Sequence, residues 1–133
     1  MTCSCVCGAV RFEAEVIPGA VFNCHCERCR KSHGAAFATQ AFAVRSSLRF
    51  LSGEDRLKEY RSTGGIRTFC GDCGSRLMNY AADSGDYLSI ALGAADDPGD
   101  VAPHANAFLA SAVPWNTPPA GLRDFDGLPD GVD

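Results

Sequence analysis

Long apolar runs are missing from this sequence. No uninterrupted apolar segment approaches the length of a membrane span, and no early stretch combines a basic start, an apolar run and a small-residue cleavage site. We therefore expect a cytoplasmic protein with no membrane partner. Thiols stay reduced in that compartment, which argues against disulfide bonds between the cysteines.

A strong positive charge is also missing. The formal net charge is −4, whereas proteins that bind nucleic acids usually present a strongly basic face, so a nucleic-acid partner is not expected. The charge is uneven, however. Residues 1–80 contain eleven Lys and Arg against seven acidic residues, and residues 81–133 contain one Arg against nine Asp. The first part of the chain can therefore form a local patch that attracts a small anion.

Internal repeats, linkers and low-complexity tracts are absent, and 133 residues are too few for two ordinary domains. We expect one domain over residues 1–133. A chain of this size buries about two thirds of its unfolded surface on folding, so it can form a core without disulfide bonds. The eight Cys therefore need another explanation.

Helix is scarce, and short extended runs dominate. In residues 9–16, apolar and charged side chains alternate with the period of a half-buried strand. Further strands are predicted at 35–44, 48–51, 57–61, 66–70, 76–80, 87–92 and 105–112. The pattern predicts a mainly β, mainly antiparallel domain. One or two helical turns are predicted at 27–33, stopped by Gly34 and anchored by Cys29.

The tail, residues 114–133, contains four Pro and three Gly and is not expected to form a regular element throughout. Its apolar side chains are expected to strap it onto the sheet. These side chains are Trp115, Leu122, Phe125 and Leu128.

The cysteines fall into three groups with the spacing of metal ligands. Two thiolates two residues apart on a strand point to the same face, and a C-x-x-C turn wraps around one ion. One C-x-C and one C-x-x-C supply four thiolates, the number that a closed tetrahedral zinc site takes. We therefore predict a structural zinc site from Cys5, Cys7, Cys70 and Cys73.

The remaining close group, Cys24, Cys26 and Cys29, offers three thiolates on one continuous segment. Three protein ligands leave one coordination position for water or substrate, which is typical of a catalytic zinc. Such a site is formally −1 and suits a substrate thiol that binds as thiolate. The neighbouring Arg28, Arg30 and Lys31 would offset this charge and attract the carboxylates of a substrate.

Other interpretations remain open at this point. All eight Cys can form two closed sites if Cys3 or another cysteine of the first three, Cys5 or Cys7, completes the middle group. The thiols can instead serve an iron–sulfur cluster or a redox switch. His25, between two proposed ligands, would face away from them on a strand and is expected to be a surface or packed residue. His33 can act as an acid or base near an open zinc, or simply pack.

Four segments resemble the glutathione-dependent formaldehyde-activating enzyme family, which includes centromere protein V. They are "CVCGAVRF", "NCHCERCRKSHGAAFA", "FCGDCGSRL" and "SAVPW", and they span residues 5–115. The resemblance implies a compact antiparallel β-tent with two zinc ions per chain. It implies a structural zinc at Cys5, Cys7, Cys70 and Cys73, and a functional zinc at Cys24, Cys26 and Cys29.

The activity that the resemblance implies is that of a carbon–sulfur lyase, which adds glutathione to formaldehyde and gives S-hydroxymethylglutathione. The alternative is a non-catalytic zinc module or thiol carrier that binds a small thiol, a protein or a nucleic acid. Two positions depart from the family pattern. Cys3 is an additional thiol, and Asn106 stands where many relatives carry a His.

Overall fold

The computed structural model describes residues 1–83 and 85–129. The strands and the helix are β1 (Thr2–Ser4), β2 (Arg11–Glu13), β3 (Val16–Cys24), α1 (Glu27–His33), β4 (Ala38–Ala43), β5 (Arg49–Ser52), β6 (Leu57–Ser62), β7 (Gly65–Cys70), β8 (Arg76–Tyr80), β9 (Leu88–Ala91), β10 (Ala105–Ala107) and β11 (Arg123–Asp124). The prediction of a mainly β fold with a short helix is confirmed. Within these two ranges, no helix is long and apolar enough to cross a membrane.

The strands form two sheets. One sheet has three strands in the order β1-β2-β5, and the other has eight in the order β11-β10-β3-β4-β9-β8-β7-β6. Most neighbours are antiparallel, as predicted, but β10 pairs in parallel with both β3 and β11. A parallel pair needs a long crossover, and the segment between β9 and β10 carries the chain back across the sheet to β3.

Several strand boundaries differ from the prediction. The run at 9–16 is not one strand, because pairing stops after β2 and resumes in β3, a nine-residue strand that was not predicted. The pairing of β3 with β4 shifts register between Val16 and Val21, where Gly19 adopts a φ of 77°. This bulge interrupts the alternation that identifies a strand in the sequence. The predicted strand at 105–112 is wrong after Ala107, because Phe108 turns the chain with a φ of 56°.

Two clusters of buried side chains form the core. The larger cluster contains Phe12, Leu77 and Ile90, each fully buried, and it includes three of the cysteines, Cys3, Cys5 and Cys70. Burying a side chain of the size of Leu, Ile or Phe stabilises the fold by about 1.5–3 kcal/mol. The smaller cluster is built from Phe22, Cys24, Cys29, Ala38, Ala105 and Ala107. Cys5 and Cys70 therefore lie in one part of the core, and Cys24 and Cys29 lie in the other.

The tail is held by backbone hydrogen bonds more than by apolar contacts. The Phe125 N–H donates to the Asn106 carbonyl at 2.9 Å, and the Leu109 N–H donates to the Phe125 carbonyl at 3.1 Å. Phe125 packs on the smaller core cluster, as predicted. Trp115 and Leu128 are exposed, so the prediction that they pack on the sheet is wrong. The last four residues of the predicted tail, 130–133, lie outside the described part of the chain.

Candidate metal centres

Four cysteine sulfurs converge at one end of the larger core cluster. The Sγ atoms of Cys5, Cys7, Cys70 and Cys73, which we call the tetrad, all lie within 4.8 Å of one another. The Cys7 sulfur lies 3.5 Å from that of Cys5 and 3.9 Å from that of Cys70. A tetrahedral ion bound at about 2.3 Å from each sulfur would separate the sulfurs by about 3.8 Å. The tetrad therefore fits a metal ion with four thiolate ligands.

Local backbone turns position the tetrad. Cys70 is the last residue of β7, and the turn into β8 closes when the Gly74 N–H donates to the Cys70 carbonyl at 2.8 Å. Gly74 has a φ of 79°, a conformation that a residue with a Cβ rarely adopts. The Asp72 N–H points at the Cys70 sulfur at 3.4 Å, and the Val10 N–H points at the Cys5 sulfur at 3.3 Å. Such donors stabilise the thiolate form that a metal ligand requires.

Cys73 shows the same preference for the thiolate. The Ser75 hydroxyl lies 3.2 Å from the Cys73 sulfur. Hydrogen bonding to Ser75 lowers the pKa of the Cys73 thiol to about 5. Cys73, one of the two exposed ligands of the tetrad, therefore favours the thiolate form that a metal ligand requires.

The second sulfur group lies where β3 runs into α1. The Sγ atoms of Cys24, Cys26 and Cys29, which we call the trio, also lie within 4.8 Å of one another. Cys24 ends β3, Cys26 caps the helix by accepting from the Cys29 N–H at 3.4 Å, and Cys29 lies in the first turn. Cys24 and Cys29 are buried, whereas Cys26 is partly exposed. The trio can hold a metal ion from its buried side and leave the other side accessible.

The helix that carries Cys29 has the bounds that the sequence predicted. It starts at Glu27 and ends at His33, and Gly34 caps it in the left-handed conformation by donating its N–H to the Arg30 carbonyl. An ion pair of 2.9 Å joins Lys31 to Glu27 one turn earlier. A helix this short is not stable alone, so the contact of Cys29 with the core anchors it.

His25 is a packed residue, in agreement with the prediction that it is not a ligand. It is fully buried, and its ring lies 4.9 Å from that of Phe37. Its ring nitrogens are not part of either sulfur group, and neither makes a hydrogen bond within the described residues. Its backbone N–H donates to the Ala107 carbonyl at 2.9 Å, which joins the trio segment to β10.

Buried amides hold β3 and β10 together beside the trio. The Asn23 Nδ2 donates to the Asn106 Oδ1 at 3.1 Å, and the Thr39 hydroxyl donates to the Asn23 Oδ1 at 2.7 Å. The Asn106 Nδ2 also donates to Asp124 at 3.0 Å and to the Pro119 carbonyl at 2.9 Å. Asn106 thus bridges β3, β10 and the tail.

Two arginines that sequence analysis missed lie against the trio. The guanidinium nitrogens of Arg67 lie 3.9 and 4.0 Å from the Cys29 sulfur, and one of them donates to the Ser32 hydroxyl at 3.2 Å. Arg76, on the neighbouring strand, donates to Asn79 at 2.8 Å. Burial and the charge of Arg67 lower the pKa of Arg76 to about 10. Neither arginine forms an ion pair with an acidic residue of the described chain.

The sequence shows which face of its strand Arg67 occupies, but it does not show that this face lies near the trio. Arg67 alternates with the buried Ile66 and Thr68 along β7, so the strand period places it on the face opposite the larger core cluster. Only the long-range packing of β7 and β8 near α1 brings that face to the trio, and no local pattern encodes it.

A cavity of about 620 Å³ opens next to the trio. Its cationic lining consists of Arg28, Lys31, Arg61, Arg67 and Arg76. Two of the three basic residues that the sequence suggested for substrate binding therefore line this cavity. The third, Arg30, does not, because its Nε donates to the His25 carbonyl at 3.3 Å.

Of the remaining candidates, His33 lies near enough to the trio for its charge to interact with that of Cys26. His33 is partly buried near Gln40, and burial together with the charges of Arg76 and Arg67 lowers its pKa to about 4. His104 is exposed on the segment that leads into β10.

Cys3 belongs to neither sulfur group, and burial raises the pKa of its thiol to about 12. In this fold Cys3 packs in the larger core cluster and does not complete the trio.

Comparisons with known proteins agree with this geometry. The sequence profile described as glutathione-dependent formaldehyde-activating enzyme matches residues 1–111. A crystal structure of a Rhodobacter sphaeroides protein matches with a TM-score of 0.63 and 26% identity, over 75% of this chain and 92% of that one. A search of curated proteins finds no match. Because the profile covers well over half of its residues, the chain belongs to the glutathione-dependent formaldehyde-activating enzyme family.

Proposed function

We propose that the protein is a zinc-dependent carbon–sulfur lyase, which adds glutathione or a similar thiol to formaldehyde and gives S-hydroxymethylglutathione. The observation that carries this proposal is the incomplete thiol set of Cys24, Cys26 and Cys29 beside a cationic cavity. Family membership supports it, because the description of the family names glutathione and formaldehyde.

We further propose that both sulfur groups hold zinc. The four thiols of the tetrad would hold a structural ion, and the trio would hold a functional one, since soft thiolates favour zinc over harder cations. Zinc bound by the trio supplies a soft Lewis acid with one exchangeable position, which favours the thiolate form of a substrate thiol. All eight cysteines are free, which suits a cytoplasmic protein in a reducing environment. We also propose that residues 1–133 form one zinc-binding domain.

The residues around the trio would stabilise and orient the substrate. The guanidinium of Arg67 lies close enough to the Cys29 sulfur to offset negative charge when a second anion approaches. Arg28 and Lys31, exposed at the cavity mouth, would attract the carboxylates of glutathione. In the addition a carbon–sulfur bond forms, the carbonyl electron pair moves to oxygen, and that oxygen gains the proton that the thiol loses. The reaction needs no oxidant or reductant.

The test measures coordination and rate separately. In cobalt-substituted protein, added glutathione should strengthen the sulfur-to-metal charge-transfer absorption, because a fourth sulfur joins the trio. Cys26→Ser should abolish this response. Cys3→Ala is the matched control, since it removes a thiol that lies in neither sulfur group, and it should keep the full response.

The rate of S-hydroxymethylglutathione formation, followed by NMR exchange spectroscopy, then separates an enzyme from a carrier. The proposal predicts that wild-type protein increases this rate and that Cys26→Ser does not. A spectroscopic response without any increase in rate would identify a thiol carrier. No spectroscopic response to any thiol would overturn the proposal.

A further inference from the structure

The cavity beside the trio is lined by one sign of charge. Five cationic side chains face it, and no Asp or Glu of the described chain lines it. Among them, only Lys31 has an acidic partner in the described residues, through its exposed ion pair with Glu27. The chain as a whole has a net charge of −4, so this concentration of positive charge is local. Folding brings its residues together from three segments, α1, β6 and the β7–β8 pair.

The cations are arranged in two layers. Arg67 and Arg76 form the inner layer, since both are partly buried and Arg67 contacts the Cys29 sulfur. Arg28, Lys31 and Arg61 form the exposed outer layer. Two neighbouring, partly buried guanidiniums destabilise each other unless an anion lies nearby. A divalent ion with three thiolates has a formal charge of −1, which offsets one inner arginine. In the outer layer, Lys31 pairs with Glu27, whereas Arg28 and Arg61 have no acidic partner in the described chain.

The outer layer therefore suits the anionic groups of a ligand whose sulfur reaches the trio. Glutathione matches this arrangement only in part, because it carries two carboxylates and also one ammonium group. An ammonium in this cavity finds no carboxylate to pair with and lies among cations that repel it. A ligand with the same anionic groups and no ammonium avoids this repulsion.

We propose that this cavity selects thiols that carry two or more anionic groups, carboxylate or phosphate, and no ammonium group. The proposal rests on the proposed function, because it assumes that the sulfur of the ligand lies at the trio. The volume of about 620 Å³ falls within the range of small-molecule sites, roughly 300–1,000 Å³. The inner arginines face the thiolate end of the ligand, and the outer cations bind its anionic arms.

The test uses two matched ligands and the zinc-loaded protein. S-Methylglutathione and the S-methyl derivative of glutaryl-cysteinylglycine differ by a single amino group, and neither can bind metal as a thiolate or add to formaldehyde. Calorimetry at low salt should give at least a tenfold lower Kd for the compound without the amino group. The difference should shrink at 0.5 M salt, because salt screens the exposed outer layer. Equal affinities, or tighter binding of S-methylglutathione, would overturn the proposal.

Two single-charge variants locate the preference. Arg61→Gln, exposed on β6 at the cavity, should weaken binding of the compound without the amino group at least fivefold and leave the zinc content unchanged. Arg11→Gln removes one exposed charge from β2 in the other sheet and should leave both affinities unchanged. If both variants weaken binding equally, the preference comes from overall charge and the cavity is not the site.

A second ligand pair distinguishes the two anionic groups. S-Methylpantetheine and its 4′-phosphate differ by one phosphate, so tighter binding of the phosphate compound would show that the cavity accepts phosphate as an anionic group. Equal affinities of these two compounds would limit the preference to carboxylates. If selection among S-methyl ligands persists when free thiols leave the cobalt spectrum unchanged, the proposed function fails together with the placement of the ligand sulfur at the trio, and only the charge preference of the cavity remains. Glutathione addition without any preference against the ammonium would remove only this inference.

Discussion

The two sulfur groups have the same ligand chemistry in opposite surroundings. The tetrad joins parts of the chain that are 63 residues apart, as between Cys7 and Cys70, and two of its members belong to the larger core cluster. The trio comes from one six-residue segment and rests on the smaller cluster. Beside the tetrad, Arg56 is neutralised by Asp72 at 2.6 Å, whereas Arg67 beside the trio has no acidic partner in the described chain. The tetrad and the trio therefore do not differ in the type of their ligands. They differ in chain connectivity and in the charge of the neighbouring residues.

Connectivity decides how much each group contributes to folding. A metal ion that joins distant segments is bound only when the chain is folded, so its binding free energy becomes folding free energy. An ion held within six residues closes almost no loop, and its loss costs little chain entropy. We therefore expect variants of the two groups to separate stability from ligand binding.

The largest effect is expected for Cys70→Ser. Cys70 is fully buried in the larger core cluster, and serine offers the metal a weaker ligand and the core an unpaired hydroxyl. We expect loss of one metal ion and a fall in the free energy of unfolding of at least about 3 kcal/mol, or roughly 10 °C in Tm. Thermal unfolding and metal analysis by mass spectrometry check both results.

Cys26→Ser is the matched control in the other group. The Cys26 sulfur caps α1, and serine is a preferred residue at that position, so the helix start is preserved. This variant should also lose one metal ion, while its Tm falls by no more than a few degrees. Equal destabilisation by the two variants would show that the trio supports the fold as much as the tetrad does.

An intermediate effect is expected for Asn106→Ala. Asn106 is fully buried, and its removal leaves the buried Asn23 amide without its partner in the network that ties β3 to β10, whereas the exposed Asp124 can bond to water instead. An unpaired buried polar group costs about 1–3 kcal/mol, so we expect a destabilisation of about that size. Because β3 carries Cys24 to the trio, the trio should release metal faster to a chelator while the tetrad keeps its rate.

Thr68→Val provides the comparison for that experiment. Its hydroxyl donates a buried hydrogen bond to the Met78 carbonyl at 2.8 Å and accepts one from the Met78 N–H at 3.2 Å, in the part of the sheet that carries the tetrad. The loss of both bonds should destabilise the fold by about 1–2 kcal/mol and leave chelator release from the trio unchanged. Faster release from the trio in both variants would mean that general destabilisation, and not the amide network, controls it.

The sequence predicted what local chemistry encodes. The helix at 27–33 was predicted from Gly34, which ends it, and from Cys29, which anchors it, and the sulfur groups were predicted from ligand spacing. The parallel pairing of β10 with β3 was not predictable, because it depends on a crossover that no local pattern marks. For the same reason sequence analysis selected Arg30, a neighbour of the trio in the chain, and missed Arg67, a neighbour only in the fold.

The smallest effect concerns the charge state of His33, which depends on Arg67 and Arg76, the two arginines near the trio that have no acidic partner in the described chain. Burial, then Arg76 and Arg67, lower its pKa to about 4, so the unfolded chain binds the proton more readily than the folded protein. Its contribution to stability is therefore present above about pH 6.5, the usual pKa of His, and is lost as the pH falls through about 4.

In NMR spectra of the zinc-loaded protein, the His33 ring signals should stay constant from pH 7.5 to 5. Arg76→Gln should raise the midpoint toward the usual value, because Arg76 has the larger effect of the two arginine charges that lower the pKa of His33. At the tetrad, by contrast, the charge of Arg56 is neutralised by Asp72. A wild-type midpoint near 6.5 would mean that an anion already offsets the inner arginines. The contrast between the two sulfur groups would then rest on connectivity alone.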